Sequence, residues 1–383
     1  MKITDSVKYL GVFDNDIDLF EGQYTVPEGI SYNSYAVIDE RIAVMDTVDK
    51  RFGDEWIRNI KEAISGRAPD YLVVHHMEPD HSASIRNFAE EFPEAKIVSS
   101  AKAFTMMKNF FGTDFKEKQI VVGEGDSLSL GERSLTFITA PMVHWPEVIV
   151  SYDSKDKILF SADGFGRFGA CDGDDWVDEA RRYYIGIVGK YGAQVQALLK
   201  KAAALDIAMI CPLHGPVIKE NLSYYISLYD KWSRYEPEED GVVIAVASIY
   251  GNTLEAAKLL RDEIISIGYE KVVLYDLARC DMAKATADAF RYSKLVLASS
   301  TYNADVFPFM REYIDHLTER GFKGRTVAFI ENGSWAPMAA KTMRAMLEGA
   351  KEITYAETTV KILSALNEDS KAAILALAKE LVK

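Results

Sequence analysis

The chain has 383 residues and a formal net charge of −14, from 44 Lys and Arg against 58 Asp and Glu. This length predicts two or three domains, and the apolar fraction of 48% is that of a folded globular protein. The acidic balance disfavours nucleic acid and anionic membrane surfaces as partners. The sequence shows neither an apolar run of membrane-helix length nor a secretory signal, so we expect a cytoplasmic protein. Its cysteines, Cys171, Cys211 and Cys280, are too widely spaced for a disulfide framework or a Cys-x-x-Cys knuckle.

A charged, proline-containing segment at residues 234–241 separates two regions that differ in the order of their predicted strands and helices. Upstream, residues 34–38 and 42–45 flank the polar turn 39–41 and predict a hairpin. This region mixes strands and helices without strict alternation, which predicts a layered α/β sandwich over residues 1–238. Its further predicted elements are strands at 71–74, 96–98, 134–139, 147–152 and 158–161 and helices at 177–191 and 195–205.

Residues 241–383 instead show strict alternation of strands and helices. Five strand–helix units in succession predict a doubly wound parallel sheet. The predicted strands are 242–247, 271–275, 295–299, 326–330 and 353–359, and the predicted helices are 254–267, 283–292, 309–320, 338–349 and 370–383.

A histidine-rich segment follows the predicted strand at 71–74. It carries four potential metal ligands in the pattern H-x-E-x-D-H, namely His76, Glu78, Asp80 and His81. Alternate residues of an extended chain share one face, so the first three side chains point together. A turn after Pro79 would bring the fourth beside them. Packing alone gives no reason for this cluster, and we therefore predict a metal site.

Three later residues are candidates for the other half of a two-metal site, and each follows an apolar, strand-like run: His144, Asp163 and His214. A lone His-Gly-Pro turn or Asp-Gly pair is often structural, but the set of seven favours metal binding. Nitrogen and oxygen ligands without thiolate suit iron, manganese or zinc, and the additional carboxylate favours a redox-capable ion over a zinc pair. We interpret His75 as structural, because its side chain faces away from that of His76.

The pattern resembles that of the metallo-β-lactamase fold, whose hydrolases carry H-x-H-x-D-H, with Glu78 in place of their second histidine. This replacement resembles the flavodiiron proteins, also called A-type flavoproteins, and the likeness extends to residues 31–35, 144–146 and 180–184. It implies a metallo-β-lactamase-like αββα sandwich followed by a flavodoxin-like doubly wound parallel sheet. It also implies that His76, Glu78 and His144 bind one iron, that Asp80, His81 and His214 bind the other, and that Asp163 bridges them.

One position departs from that resemblance. Many relatives have a histidine near the iron site in the segment that here holds Phe20, Glu21 and Gly22. Glu21 aligns with it, and a carboxylate near the irons would alter their surroundings. The simpler expectation is a solvated loop carboxylate.

The second region opens with a polar loop between a strand and a helix: Ser248, Ile249, Tyr250, Gly251, Asn252 and Thr253. Hydroxyl groups, a glycine and free N–H groups at a helix start predict a phosphate cradle, although an ordinary strand–helix turn is the alternative. The loop lacks the lysine of a Walker motif and the G-x-G-x-x-G of dinucleotide sites. It resembles the FMN phosphate loop of flavodoxins.

Two further loops follow the third and fourth predicted strands of this region, where ligands of doubly wound sheets lie. Tyr302 or Trp335 is suited to stack on a flavin ring. All three loops resemble the flavodoxin half of the flavodiiron family, which implies FMN as cofactor. The additional candidate residues are Ser300, Thr301, Tyr302 and Asn303 in one loop and Glu331, Asn332, Gly333, Ser334 and Trp335 in the other.

The resemblance implies a reductase of dioxygen to water, of nitric oxide to nitrous oxide, or of both, in which FMN feeds a diiron centre. It implies an external electron donor, usually rubredoxin and in some archaeal members a deazaflavin, because no rubredoxin-like knuckles and no NAD-binding domain follow. It also suggests a head-to-tail homodimer, or a dimer of dimers, in which the FMN of one subunit serves the irons of the other.

Two other functions stay open at this point. A dizinc hydrolase with a flavodoxin appendage would share the fold, but Glu78 in place of histidine argues against it. A non-enzymatic electron carrier or redox sensor would keep the metal site only as structure. Seven ligands argue against that alternative, since a structural zinc needs four and no open position.

Overall fold

The computed structural model describes residues 2–169 and 176–383, so that Cys171 lies outside the described residues. The chain forms two compact units, Met1–Asp230 and Lys231–Lys383. The predicted boundary segment at 234–241 follows this division by a few residues. Within the described part of the chain, no helix combines the length and the apolar character needed to cross a membrane.

The first unit consists of short strands with helices between them. Its strands are β1 (Val7–Tyr9), β2 (Val12–Asp14), β3 (Leu19–Phe20), β4 (Tyr24–Thr25), β5 (Ile30–Tyr32), β6 (Tyr35–Ile38), β7 (Ile42–Met45), β8 (Tyr71–Val73), β9 (Lys96–Ser99), β10 (Gln119–Val121), β11 (Ser127–Ser129), β12 (Ser134–Thr139), β13 (Ile149–Asp153), β14 (Ile158–Phe160) and β15 (Met209–Cys211). Its helices are α1 (Gly53–Ala63), α2 (Pro79–Ser82), α3 (Ile85–Glu91), α4 (Ala101–Phe111), α5 (Trp176–Tyr183) and α6 (Gly192–Ala202), and α7 (Leu222–Arg234) runs across the boundary.

Two sheets share one core in this unit. The first has the order β1-β6-β7-β8-β9-β10 and the second β11-β12-β13-β14-β15. Val37, Val73 and Val98 from the first sheet belong to the same buried cluster as Phe137 and Phe160 from the second. The predicted layered sandwich is therefore confirmed, as is the hairpin, since β6 and β7 pair antiparallel.

The predicted helix at 177–191 is helical to its end, but it is not an α-helix in its second half. Helix α5 ends at Tyr183, and a π-helical turn, Tyr184–Val188, follows it. The Tyr24 hydroxyl donates a hydrogen bond of 3.0 Å to the carbonyl of Gly186. A contact between such distant segments is not visible in a local pattern of apolar residues.

The carboxyl ends of several strands carry the loops that hold the candidate metal ligands. Strands β14 and β15 run parallel with Phe160 opposite Cys211, so the loops that follow them start side by side. Strand β8 is parallel to its neighbours β7 and β9, and it ends just before the histidine-rich segment.

The second unit is a doubly wound sheet of five parallel strands in the order β17-β16-β18-β20-β21, as predicted, and β19 pairs antiparallel with an extension of β18. Buried aliphatic residues of the strands, for example Ile244 and Val296, share one core with residues of α8 and α12, for example Leu260 and Ile374. Its elements are β16 (Glu239–Ala247), α8 (Asn252–Ser266), β17 (Val272–Asp276), α9 (Met282–Arg291), β18 (Tyr292–Tyr302), β19 (Asp305–Val306), α10 (Pro308–Glu319), β20 (Thr326–Asn332), α11 (Ala339–Met346), β21 (Thr354–Ile362) and α12 (Glu368–Leu381).

Candidate metal centre and cofactor cavity

All seven predicted metal ligands come together in the first unit, in two adjacent groups. One group is His76, Glu78, His144 and Asp163, and the other is Asp80, His81 and His214. Within each group the potential ligand atoms lie within 4.8 Å of one another. Every member is buried except Glu78, which is partly buried.

Local structure explains how neighbouring ligands reach different groups. His76 and Glu78 lie in the extended stretch after β8. Pro79 then begins α2, so the chain turns and directs Asp80 and His81 to the other group. A turn at the proline is present, but the prediction that Asp80 points together with His76 and Glu78 is wrong, because Asp80 already lies in α2.

Asp163 lies between the two groups. Its Oδ2 is 3.1 Å from Nε2 of His144 and 3.3 Å from Nε2 of His76. Its Oδ1 is 3.3 Å from Nε2 of His81 and 3.8 Å from Nε2 of His214. Each carboxylate oxygen thus faces one group, as a bridge between two cations requires.

The donor atoms fit cations better than they fit one another. Nε2 of His81 lies 2.9 Å from Nε2 of His214, and the corresponding distance between His76 and His144 is 3.3 Å. Two imidazoles on one ion, with bonds of about 2.1 Å, would place their nitrogens roughly 3 Å apart. Both oxygens of Asp80 and Oδ1 of Asp163 are buried without a hydrogen-bond partner. Buried carboxylate oxygens of this kind are costly unless a cation satisfies them.

Two ligand rings are oriented from behind by groups that the sequence analysis did not identify. Nδ1 of His76 lies 2.8 Å from Oε1 of Glu147, and Nδ1 of His214 lies 2.7 Å from the carbonyl oxygen of Ser31. Both contacts direct the Nε2 atoms toward the cluster. Glu147 follows a predicted ligand by three residues, but its sequence position predicts only the start of a strand.

A separate buried network anchors the ligand loop. Asp46, with φ +56°, accepts a hydrogen bond of 2.7 Å from the backbone N–H of His75. The other oxygen of Asp46 is 2.5 Å from Nδ1 of His75, whose Nε2 lies 2.8 Å from Oγ of Ser151. His75 therefore has partners on both ring nitrogens and lies outside both ligand groups.

The metal-free cluster is strongly polarised. Burial alone would raise the pKa of Glu78, but hydrogen bonds from His144 and His76 bring it below its usual range. Burial opposes the charge of His144, yet hydrogen bonds to Asp163 and Glu78 raise its pKa to about 9. Burial also raises the pKa of Asp80 to about 7. A cation that binds here must displace protons, so its affinity depends on pH.

Glu21 is an exposed loop residue, as expected, but the loop places it beside the cluster. It occupies the turn between β3 and β4 with φ +48°. Although the residue as a whole is exposed, burial of its carboxyl, together with the charge and hydrogen bond of Glu78, raises its pKa to about 7. The adjacent ring of Phe20 packs on His214 at a centroid distance of 5.4 Å, which holds this turn against the ligands.

The second unit contains a cavity of about 500 Å³ at the carboxyl ends of its strands. Thirteen of the fifteen predicted flavin-site residues line it, and the exceptions are Gly251 and Glu331. Tyr250 and Trp335 are 93% and 91% exposed. The lining residues are Ser248, Ile249, Tyr250, Asn252, Thr253, Ser300, Thr301, Tyr302, Asn303, Asn332, Gly333, Ser334 and Trp335, with Ala304, Ala336, Met338 and Ser364 in addition.

The polar loop after β16 fits a phosphate group. Gly251 has φ +98°, and the space where its side chain would begin is open. Its N–H donates to Oγ of Ser248 at 3.1 Å, and α8 begins at the next residue. Hydroxyls of Thr253 and Ser300 meet at 2.9 Å within the cavity. Hydroxyl groups and a helix N-terminus without a cation suit a phosphate monoester.

Glu331 points elsewhere. Its Oε2 accepts a hydrogen bond of 3.1 Å from the N–H of Ala340, in the first turn of α11. Successive side chains of a strand alternate between faces, so Asn332 lines the cavity and Glu331 does not. The sequence analysis also missed Ser364, whose N–H bonds to Oδ1 of Asn332 across neighbouring strand ends.

Comparisons with known proteins agree with this arrangement. Residues 30–215 match the family described as ODP family beta lactamase. A nitric oxide reductase from Moorella thermoacetica is 30% identical, over 93% of this chain and 91% of that protein. The structure of the flavodiiron protein from Giardia intestinalis has a TM-score of 0.92 and 28% identity, over 100% of this chain and 96% of that one. Rubredoxin oxygen:oxidoreductase from Desulfovibrio gigas has a TM-score of 0.91 and 25% identity, over 100% and 97%.

The fold and the two-group cluster define a protein with a metallo-β-lactamase-like domain followed by a flavodoxin-like sheet, which confirms the predicted fold class. The chain belongs to the flavodiiron protein family, as the H-x-E-x-D-H pattern indicates. Membership in this family makes it an oxidoreductase.

Proposed function

We propose that this protein reduces small diatomic oxidants, dioxygen to water or nitric oxide to nitrous oxide, at a diiron centre that receives electrons from FMN. The observation that carries the proposal is Asp163, whose two oxygens face two separate groups of histidine and carboxylate ligands. The names of relatives support it, because one is a nitric oxide reductase and another a rubredoxin oxygen:oxidoreductase.

The proposed ligand sets are matched in type. His76, Glu78 and His144 bind one iron, and Asp80, His81 and His214 bind the other, so each iron has two imidazoles and one carboxylate of its own. Asp163 bridges them and offsets the repulsion of two cations held close together. The absence of thiolate from the set suits iron in this role.

The proposed FMN site is the cavity of the second unit. Ser248, Thr253 and the N-terminus of α8 would hold the phosphate, and Trp335 or Tyr302 would stack on the ring system. FMN when bound accepts electrons in pairs and releases them singly, which suits supply to a diiron centre. The residues of the chain bind and orient the groups and keep the charged ligands out of bulk water.

Metal and flavin analysis, followed by rapid mixing, tests the proposal. Protein from iron-replete cells is expected to hold about two iron and one FMN per chain. Anaerobically reduced protein mixed with dioxygen or nitric oxide is expected to show flavin reoxidation, and the two rates give the preferred oxidant. Recovery of two zinc ions with thioester hydrolysis and no flavin reoxidation would support the dizinc hydrolase instead.

We further propose that an external rubredoxin-type protein donates electrons and that the working unit is a head-to-tail homodimer. The names of relatives support the donor, since one of them is a rubredoxin oxygen:oxidoreductase and others are flavorubredoxins. The donor is tested by the rate at which reduced rubredoxin, compared with a free deazaflavin, reduces the bound flavin. If reduced rubredoxin does not reduce the bound flavin, a rubredoxin-type donor is excluded.

A mixed dimer tests the transfer between subunits. One subunit carries His81→Ala with His144→Ala, and the other carries Gly251→Trp. If FMN of one subunit serves the irons of its partner, the mixed dimer regains one working pair although neither parent homodimer is active. Properly assembled mixed dimers without activity would exclude this route.

A further inference from the structure

The two proposed iron sites have the same ligands but different surroundings. Each takes two histidines and one carboxylate, and they share Asp163. Ligand type therefore gives no reason for the two ions to differ. Any difference between them must come from the groups that contact the ligands from behind.

Among the described residues, a carboxylate hydrogen-bonds from behind to a histidine ring of one group only. Oε1 of Glu147 accepts from Nδ1 of His76 at 2.8 Å and from the N–H of Met77 at 2.8 Å. In the other group, Nδ1 of His214 has a neutral carbonyl as its partner, and Nδ1 of His81 is buried without a hydrogen bond.

Burial makes the charge of Glu147 effective. The residue is 2% exposed, and its second oxygen, Oε2, is buried without a hydrogen-bond partner. Water therefore screens this carboxylate little, and its charge acts on His76 in a medium of low dielectric constant. A carboxylate partner makes a ligating imidazole a stronger donor and stabilises the more oxidised state of the metal.

We propose that Glu147 is a positioning residue that makes the two iron ions inequivalent. Acting through His76, it gives the ion held by His76, Glu78 and His144 the tighter binding and the lower reduction potential. The inference rests on the proposed diiron centre. It adds that the two iron ions are oxidised in a fixed order, beginning with the ion held by His76, Glu78 and His144.

The substitution Glu147→Gln removes the negative charge of the side chain and keeps its size and shape. The amide oxygen can still accept from His76 and Met77, but the negative charge is lost. Metal-stripped full-length protein is titrated anaerobically with ferrous iron against a competing chelator. The tighter of the two sites is expected to weaken by about 10–100-fold, and the weaker site to stay within about twofold of wild type.

The second measurement is a redox titration in which the EPR signal of the mixed-valent state is monitored. The two stepwise potentials are expected to be well separated in wild type, closer in Glu147→Asp, whose shorter side chain lengthens the hydrogen bond, and closest in Glu147→Gln. Unchanged separation in either folded variant overturns the proposal. Equal weakening of both irons in Glu147→Gln overturns it too, because that result indicates a purely structural role.

Glu21→Gln is the matched control. It alters a carboxyl that lies next to Glu78 but is not the partner of Nδ1 of His76. A smaller effect than that of Glu147→Gln is expected. An equal effect would assign the inequivalence to any carboxyl-to-amide change near this group and not to the Glu147–His76 hydrogen bond. Failure of wild type to bind two irons would defeat the diiron centre itself, whereas two irons with unchanged variants defeats this inference alone.

Discussion

The metal cluster of the first unit and the cavity of the second are built in opposite ways. His76, His81 and His214 are completely buried, and their rings are fixed by packing and, for two of them, by hydrogen bonds from behind. Two of the three large aromatic side chains around the cavity, Tyr250 and Trp335, extend almost entirely into solvent.

The difference follows from the ligands that each site suits. Buried charges and polar atoms cost free energy unless their partners are held in place, so a cation site must be ordered before the cation arrives. A flavin brings a large planar surface of its own, and exposed aromatic side chains can close on it after it binds. Substitutions are therefore expected to have sharp effects in the cluster and graded effects around the cavity.

Asp163→Asn gives the largest expected effect. A neutral amide cannot offset two cations, so iron content is expected to fall from about two to less than one per chain, with FMN content unchanged. Iron and flavin analysis of the purified variant measures both. Asp80→Asn is the matched control, since Asp80 belongs to one group only and its loss should spare the other ion. Parallel loss of FMN from folded Asp163→Asn protein would show that the two sites are not independent.

Gly251→Ala tests the cavity in the same manner. A side chain at φ +98° costs about 1–3 kcal/mol, so the loop is expected to relax and the affinity for FMN to fall on the order of tenfold. Fluorescence titration of the flavin-free protein measures this, and the iron content should not change. Gly349→Ala is the control, because Gly349 has open space around it without a left-handed backbone. Equal affinities in both variants would contradict the proposed phosphate loop.

Trp335→Ala is expected to have a smaller effect. Loss of one stacking contact costs about 0.5–1.5 kcal/mol, which corresponds to roughly a two- to twelvefold loss of FMN affinity. The absorption bands of the bound flavin should also shift, since stacking perturbs them. If neither changes, the stacking residue is Tyr302, and Tyr302→Ala should then produce both effects.

The last prediction concerns the pH dependence of stability in the metal-free protein. Burial raises the pKa of Asp80 to about 7 from its usual 3.8. Between these values the folded state holds a proton that the unfolded state releases, so the free energy of unfolding falls as pH rises from about 4 to about 7. Asp80→Asn cannot titrate and should show a shallower fall in urea unfolding across this window. An equally steep fall in both proteins would show that Asp80 is not the group responsible.

The sequence identifies the candidate ligands because their signal is local. His76, Asp163 and His214 each follow an apolar run that folds as a strand, and Asp163 and His214 follow neighbouring parallel strands, so they start side by side. The parallel sheet of the second unit is predicted for a similar reason, since buried strands and amphipathic helices alternate, with only the short β19 inserted between β18 and α10.

Interactions between distant segments limit the prediction. Glu147 contacts a residue 71 positions away, and the Ser31 carbonyl one that is 183 positions away, so neither is visible in a local pattern. The error at Glu331 is of another kind. Its loop borders the cavity, but side chains alternate along a strand, and that of Glu331 points away from the cavity. The carboxyl of Glu21 reaches Glu78 through a turn whose direction the sequence does not specify.

Asp46 bears on how the protein is assembled in a cell. It ties the ligand loop to the neighbouring strands through the N–H and the ring of His75, with bonds in which no metal takes part. Because these bonds need no metal, we expect the loop to reach its final shape in the metal-free protein and metal binding to follow as a separate event. We then expect the occupancy of purified protein to reflect the supply of iron and of competing ions during growth, and depleted protein to be reloaded without unfolding.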